Sequence, residues 1–169
     1  MAWTAPKTWS SEPLTSLDLN QNVRDNLNHL KNRLDSSVDK FVSGEAMLQT
    51  TATEFVDVDA VNLSLTLTTH GGDVLLGFTG TVQSTVGGRS IYFNVAVDDV
   101  DYIADDGIIC SQIGGSFDNN LHKPLSFVML IPGLSAGSHT FKLRWKTDAG
   151  NTAKMDVVRL HPQFWAKEI

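Results

Sequence analysis

Between Thr15 and Phe41 the chain reads TSLDLNQNVRDNLNHLKNRLDSSVDKF, and its apolar residues recur with a helical period. Val23, Leu27, Leu30 and Leu34 follow one another at steps of four, three and four, and Phe41 falls one heptad beyond Leu34. That spacing predicts a single apolar seam along one helix, interrupted at Asn20 and Ser37. Pro13 cannot continue a helix backwards, Thr15 can cap it, and Asp18 stands where a capping box needs a carboxyl group, so the helix is expected to begin near Leu17. Gln21, Asn22, Arg24, Asp25, Asn28, Lys31, Asn32 and Asp35 occupy the other face, which leaves the seam narrow. A narrow seam suits a coiled coil, and it equally suits a helix laid on its own domain. Self-association is favoured because the helix stands ahead of a strand-rich region with a hydrophobic seam that needs a partner.

After Phe41 the period changes, with Gly44 as a plausible break. Val61, Leu63, Leu65 and Leu67 alternate with polar residues, as do Val74, Leu76, Phe78 and Val82, and then Ile91, Phe93, Val95 and Val97. Gly71-Gly72, Gly87-Gly88 and Asp98-Asp99 read as the turns between these strands. Shorter runs at 101–104 and 108–113 lead to a polar loop, GGSFDNNLHK, spanning Gly114 to Lys123. Leu125 to Ile131 is almost continuously apolar and is expected to be buried on both faces, with Pro132 and Gly133 stopping it. His139, Phe141, Leu143 and Trp145 then alternate with Thr140, Lys142, Arg144 and Lys146, and two more strands follow at 152–160 and 163–169. About eight to ten short strands with regular turn signals predict an antiparallel sandwich or barrel. The expected organisation is an arm (1–14), a helical segment (15–43) and a β-domain (44–169).

Composition narrows the function. The chain has 169 residues, of which 41% are hydrophobic and 19% charged, enough for a real core. A net charge of -6, with no basic cluster, argues against nucleic acid as a partner. The opening MAWTAPKTWSSEP lacks the layout of a secretory signal and no stretch matches a membrane span, so synthesis in a cytoplasm without membrane insertion is expected. Cys110 is the single cysteine and is expected to be a small core residue. Trp3 and Trp9 are large aromatics in a Pro- and Ser-containing arm, and they need a surface to cover them, either on their own domain or on a neighbour.

Catalytic and metal motifs are scarce. The sequence has no GxGxxG, no GxxxxGK, no HExxH and no Cys or His pair at zinc spacing. Its histidines, His29, His70, His122, His139 and His161, are scattered and suit hydrogen-bonded structural roles, so no catalytic residue, metal site or cofactor is expected. Asp98, Asp99, Asp101, Asp105 and Asp106 form a dense acidic cluster that reads first as hairpin turns; calcium ligation and a carboxylate pair for sugar hydrolysis are the competing readings. Lys142, Arg144 and Lys146 make a cationic strand face that could meet the acidic turns of an adjacent copy.

Two segments carry a family resemblance. The Trp-containing arm followed by LDLNQNVRDNLNHLK resembles the N-terminal segment of many tailed-phage virion proteins, where an Asn and an Arg-Asp-Asn triplet open a helix; here these are Asn20, Arg24, Asp25 and Asn26. The run LIPGLSAGSHTFKLRWKTDAGNTA, Leu130 to Ala153, resembles the late strand pair of phage jelly rolls of the tumour-necrosis-factor and complement-head type, with Gly137, His139, Phe141, Leu143 and Trp145 as its marks. The resemblance implies a jelly-roll sandwich behind one amphipathic helix, assembled as a homotrimer, in a non-enzymatic virion protein. It further implies a tail-fibre or baseplate component involved in host attachment, in contact with other virion proteins. A capsid decoration protein, its arm anchored by Trp3 and Trp9, is the alternative within that class; a cellular carbohydrate-binding module is the alternative outside it. On the fibre reading, Phe117, Asn119, Asn120 and His122 in the polar loop would suit a host-surface glycan at a distal tip, the aromatic ring stacking on sugar and the amides bonding its hydroxyls; a solvated loop is the plainer reading of the same residues.

Overall fold

The computed structural model describes residue 13 and residues 15–112 and 121–169. Trp3, Trp9, Phe117, Asn119 and Asn120 lie outside the described residues.

The helical segment starts as its sequence directs. Thr15 is the N-cap: its Oγ1 accepts from the Asp18 N–H at 3.1 Å, and the Asp18 carboxylate accepts from the Thr15 N–H at 3.2 Å. Helix α1 (Ser16–Leu19) passes into a π-helical turn (Asn20–Arg24) and then α2 (Asp25–Asp35) without leaving helical backbone angles.

Helix α2 ends at Asp35, six residues short of the expected end at Phe41. Ser36 is extended; its hydroxyl donates to the Thr68 carbonyl at 2.7 Å and its carbonyl accepts from the Glu168 N–H at 3.0 Å. Sheet pairing therefore captures the backbone where two serines weaken helix propensity. Strand β1 (Ser37–Phe41) follows at once, so the sheet begins at Ser37 rather than at 44, and Phe41 belongs to a strand instead of the helical seam.

Ten strands among the described residues form the antiparallel jelly-roll sandwich. After β1 come β2 (Leu48–Thr50), β3 (Val56–Asp57), β4 (Ser64–Ser84), β5 (Ser90–Val97), β6 (Val100–Asp101), β7 (Ile109–Gln112), β8 (Lys123–Thr147), β9 (Ala153–Met155) and β10 (Gln163–Glu168). The spine is the pair β4 and β8, in register from Ser64↔Lys142 to Val82↔Lys123. Gly71-Gly72 and Pro132-Gly133 do not separate strands as expected. They sit where the two long strands bend together, with a register shift between Gly72 and Val74, so each strand serves both layers. Gly72 has φ +148, and a Cβ there would lie 2.5 Å from the Arg33 guanidinium of α2.

One layer is β1-β10-β4-β8, built on the Val74–Val82 half of β4; the other joins the opposite halves of β4 and β8 to β5, with β6 and β7 on β5 and β3 on β8. Between them lies the core predicted from strand alternation: Leu63, Leu65, Leu67, Val74, Leu76, Phe78, Val82, Ile91, Phe93, Val95, Phe141, Leu143 and Trp145, joined by Phe164 and Met155. The Phe78 and Phe93 rings stack across the layers at 6.0 Å, and Phe93 meets Trp145 at 6.1 Å. Strand β9 is shorter than expected because Asp156 turns the chain, its Oδ1 accepting from the N–H groups of Val158 and Arg159 at 3.0 Å.

Two burial expectations fail. In β7 the alternation sends Ser111 inward and leaves Cys110 exposed. In β8 Leu125 and Ile131 are buried, but Val128 and Leu130 point outward and are exposed, so this run is covered on one face only.

Candidate self-association surface

The helix turns its apolar seam away from the domain. Val23, Leu27, Leu30 and Leu34 are all exposed, Leu27 at 60% and Leu34 at 68%, while Asn26 and His29, about a quarter-turn around the helix, are buried. Leucines left in water beside buried polar residues invert the usual amphipathic rule. Docking contacts explain the inversion. Arg33 donates from Nη2 to the Ile169 carbonyl and brings Nε within 3.6 Å of the Glu168 carboxylate. Glu168 is fully buried and accepts from the His70 backbone N–H at 2.9 Å and meets the His70 ring at 3.0 Å. The His29 and His70 rings then meet edge to face at 6.0 Å. The contacts of Arg33 and His29 thus fix the helix on the domain, and its leucine side is presented outward.

A second exposed apolar area lies on the outer face of the β1-β10-β4-β8 layer. Cross-strand partners point to the same side, which places Val128, Gly77, Trp165 and Asp39 in one row, Leu130, Leu75, Lys167 and Ser37 in the next, and Ser126, Thr79, Gln163 and Phe41 in a third. Gly77 makes room for the Trp165 indole, which lies flat over it: a Cβ at 77 would come within 2.2 Å of the ring. Phe41 is 66% exposed and Val128 65%. Sequence reading missed this area, although the two-sided apolar run around Leu125–Ile131 was the signal for it.

The outer face of the other layer is charged, and its charges are matched within the chain. Lys142 pairs with Asp99 at 2.5 Å, Arg144 with Asp101 at 2.7 Å and Asp57 at 3.3 Å, and Lys146 with Asp106 at 3.3 Å. The cationic strand face therefore meets Asp57, Asp99, Asp101 and Asp106 within one copy, where the sequence offered the acidic turns of an adjacent copy as one partner. Lys146 also lies over the rings of Phe55 and Tyr92, at 4.9 and 5.3 Å.

The histidines take hydrogen-bonded places in the fold. His139 Nδ1 lies 2.7 Å from an Asp98 carboxylate oxygen and Nε2 lies 3.0 Å from the Ser135 carbonyl, which pins the Asp98-Asp99 hairpin turn to β8. The Thr140 N–H and the His139 ring hold the Asp98 carboxyl below its ordinary value, and the same contact with Asp98 raises His139. His122 is the described member of the candidate glycan loop; its ring meets the Gln83 amide at 2.8 Å and lies 3.8 Å from the buried Asp156. Among the described residues no three His, Cys, Asp or Glu side chains are grouped to hold a metal ion, and no helix is long and apolar enough to cross a membrane.

Comparison with known proteins adds distant likenesses. No family model and no curated protein matches the sequence. Among solved structures, infectious bursal virus derived T=1 particles align at 9% identity and a TM-score of 0.44, covering 79% of this chain and 36% of that one. The infectious bursal disease virus VP2 subviral particle aligns at 10% identity and a TM-score of 0.42, covering 79% of this chain and 37% of that one. Dimeric latent PorU from Porphyromonas gingivalis aligns at 12% identity and a TM-score of 0.37, covering 80% of this chain and 13% of that one. The chain thus spans little more than a third of the VP2 chains and a smaller share of PorU.

Proposed function

We propose that this chain is a non-enzymatic structural protein of a tailed-phage virion, a homotrimeric tail-fibre or baseplate component. The outward leucine seam carries the proposal. A single copy leaves Val23, Leu27, Leu30 and Leu34 in water, and burying a leucine contributes about 1.5–3 kcal/mol, so copies that bring their seams together gain several such terms. The seam is short, and its apolar spacing of three and four fits a helix bundle. The phage-like opening LDLNQNVRDNLNHLK lies in this same helix and supplies the virion context. On this reading Trp3 and Trp9 anchor the arm on other virion proteins, and the jelly roll projects with the loop bearing Phe117, Asn119, Asn120 and His122 toward a host glycan.

Light scattering after size exclusion on the full chain tests it. The expected mass is three times 18.5 kDa, and a Leu27→Gln, Leu30→Gln variant is expected to elute as a folded monomer. A wild-type monomer at micromolar concentration would remove the seam as an assembly element and with it the fibre reading.

A further inference from the structure

We infer that the outer face of the β1-β10-β4-β8 layer, centred on Trp165, Leu75, Val128 and Leu130, is a second contact between copies of this chain. The inference takes its partner, another copy, from the self-association proposed above, but it stands on a separate set of residues.

The two outer faces of the sandwich differ in kind. On one, Lys142, Arg144 and Lys146 are matched by Asp57, Asp99, Asp101 and Asp106 of the same chain, and water can cover the remainder. On the other, four strands place leucine, valine and tryptophan side by side with Phe41 at the edge, and Gly77 lets the indole lie flat instead of projecting. A flat apolar sheet face of this kind marks an association surface.

Chain connectivity says what covers it. Ser36 alone separates the end of α2 from the start of β1, and β1 is the edge strand of this layer and not of the charged one. Helices packed through their seams lie about 8–10 Å apart. The β1 edges of neighbouring copies therefore start close to the assembly axis, and the apolar layer is the one brought toward a neighbour. The face also carries one charge of each sign, Asp39 and Lys167, in adjacent rows, so a copy placed against it can meet each with its opposite.

The test uses the full chain in sedimentation velocity over a dilution series, with two face variants and one seam variant. Val128→Thr with Leu130→Thr keeps strand propensity and removes apolar surface; Val128→Lys places a charge where only a subunit contact would bury it. Both positions are exposed in the single copy, and circular dichroism checks that each variant folds. Each face variant is expected to raise the concentration at which the assembly dissociates by about tenfold or more. Dissociation curves that superimpose on wild type for both face variants overturn the inference, whatever other occupant the face then has. If the Leu27→Gln, Leu30→Gln variant dissociates and the face variants do not, the helix reading stands and this inference falls. The reverse result sinks the helix reading and supports the sheet contact, and a wild type that is monomeric throughout overturns both.

Discussion

At the scale of single residues, His139 carries the clearest chemistry in the described structure. Its two ring nitrogens both face acceptors, the Asp98 carboxylate and the Ser135 carbonyl, and an imidazole can donate from both only when it is protonated. Folding therefore raises His139 above its ordinary 6.5 and lowers Asp98 below its ordinary 3.8. The histidine's contribution is fully present below 6.5 and is lost as pH rises through the elevated value in the fold. The aspartate's contribution is present above 3.8 and is lost as pH falls through the lowered one. Melting temperature measured from pH 5 to pH 9 is expected to fall on the alkaline side in wild type and to flatten there in His139→Gln. Parallel curves for the two proteins would mean that His139 is held neutral. The Gly-x-His of the sequence thus has a physical role: Gly137 takes φ +151, which a side chain would disfavour, and His139 clasps the Asp98-Asp99 turn. Cys110 shows the opposite limit, since a four-residue strand between loops carries too little alternation to say which of two neighbours turns inward.

At the scale of elements, polar contacts determine where the helix sits. Arg33 reaches the Glu168 carboxylate and the Ile169 carbonyl, and Glu168 is a buried charge that His70 and Arg33 satisfy together. Replacing Arg33 with Ala is expected to release α2 from the domain end while leaving the sandwich folded. Hydrogen exchange should then speed up by about tenfold or more across residues 25–35, the equivalent of losing a contact of roughly 1.4 kcal/mol, with β4, β5 and β8 unchanged. Exchange at wild-type rates would show that the helix is held chiefly by its seam. The same region shows why sequence reading succeeded in part. The core half of each strand was legible because Leu63, Leu65 and Leu67, or Ile91, Phe93 and Val95, alternate against polar neighbours and only one face meets the core. The helix end was not legible: Ser37–Phe41 pairs with β10, a partner more than a hundred residues away, and local period carries no trace of that pairing. The Gly71-Gly72 and Pro132-Gly133 pairs read as strand ends, but both strands run through them, because a register shift within two paired strands has the same local signature as a turn between them. The Leu125–Ile131 run reads as buried on both faces because it is apolar on both, but only the side bearing Leu125 and Ile131 meets the core, and composition alone does not separate the two cases.

At the scale of the whole molecule, the leucine seam and the apolar sheet face set a condition on stability as well as on assembly. Folding of one copy leaves Leu27, Leu34, Phe41 and Val128 largely in water, so burying them against another copy, as proposed, would add hydrophobic stabilisation. On the proposed self-association, mass action makes the melting temperature depend on protein concentration, because subunits that bind the folded chain and not the unfolded one stabilise it in proportion to the logarithm of their concentration. Scanning calorimetry of wild type across about two decades of concentration is expected to show a melting temperature that climbs steadily. The Leu27→Gln, Leu30→Gln variant, monomeric at micromolar concentration, is expected to melt lower and to keep only the dependence that the sheet face supplies at the top of the concentration range. Combining it with Val128→Thr and Leu130→Thr should weaken the dependence further, since both proposed surfaces are then impaired. The sandwich core from Phe78 through Phe93 to Trp145 lies within one chain, so even that combined variant should still unfold cooperatively. A wild-type melting temperature that stays fixed over the same range would mean that the outward leucines stabilise nothing, and assembly through either surface would lose its thermodynamic basis.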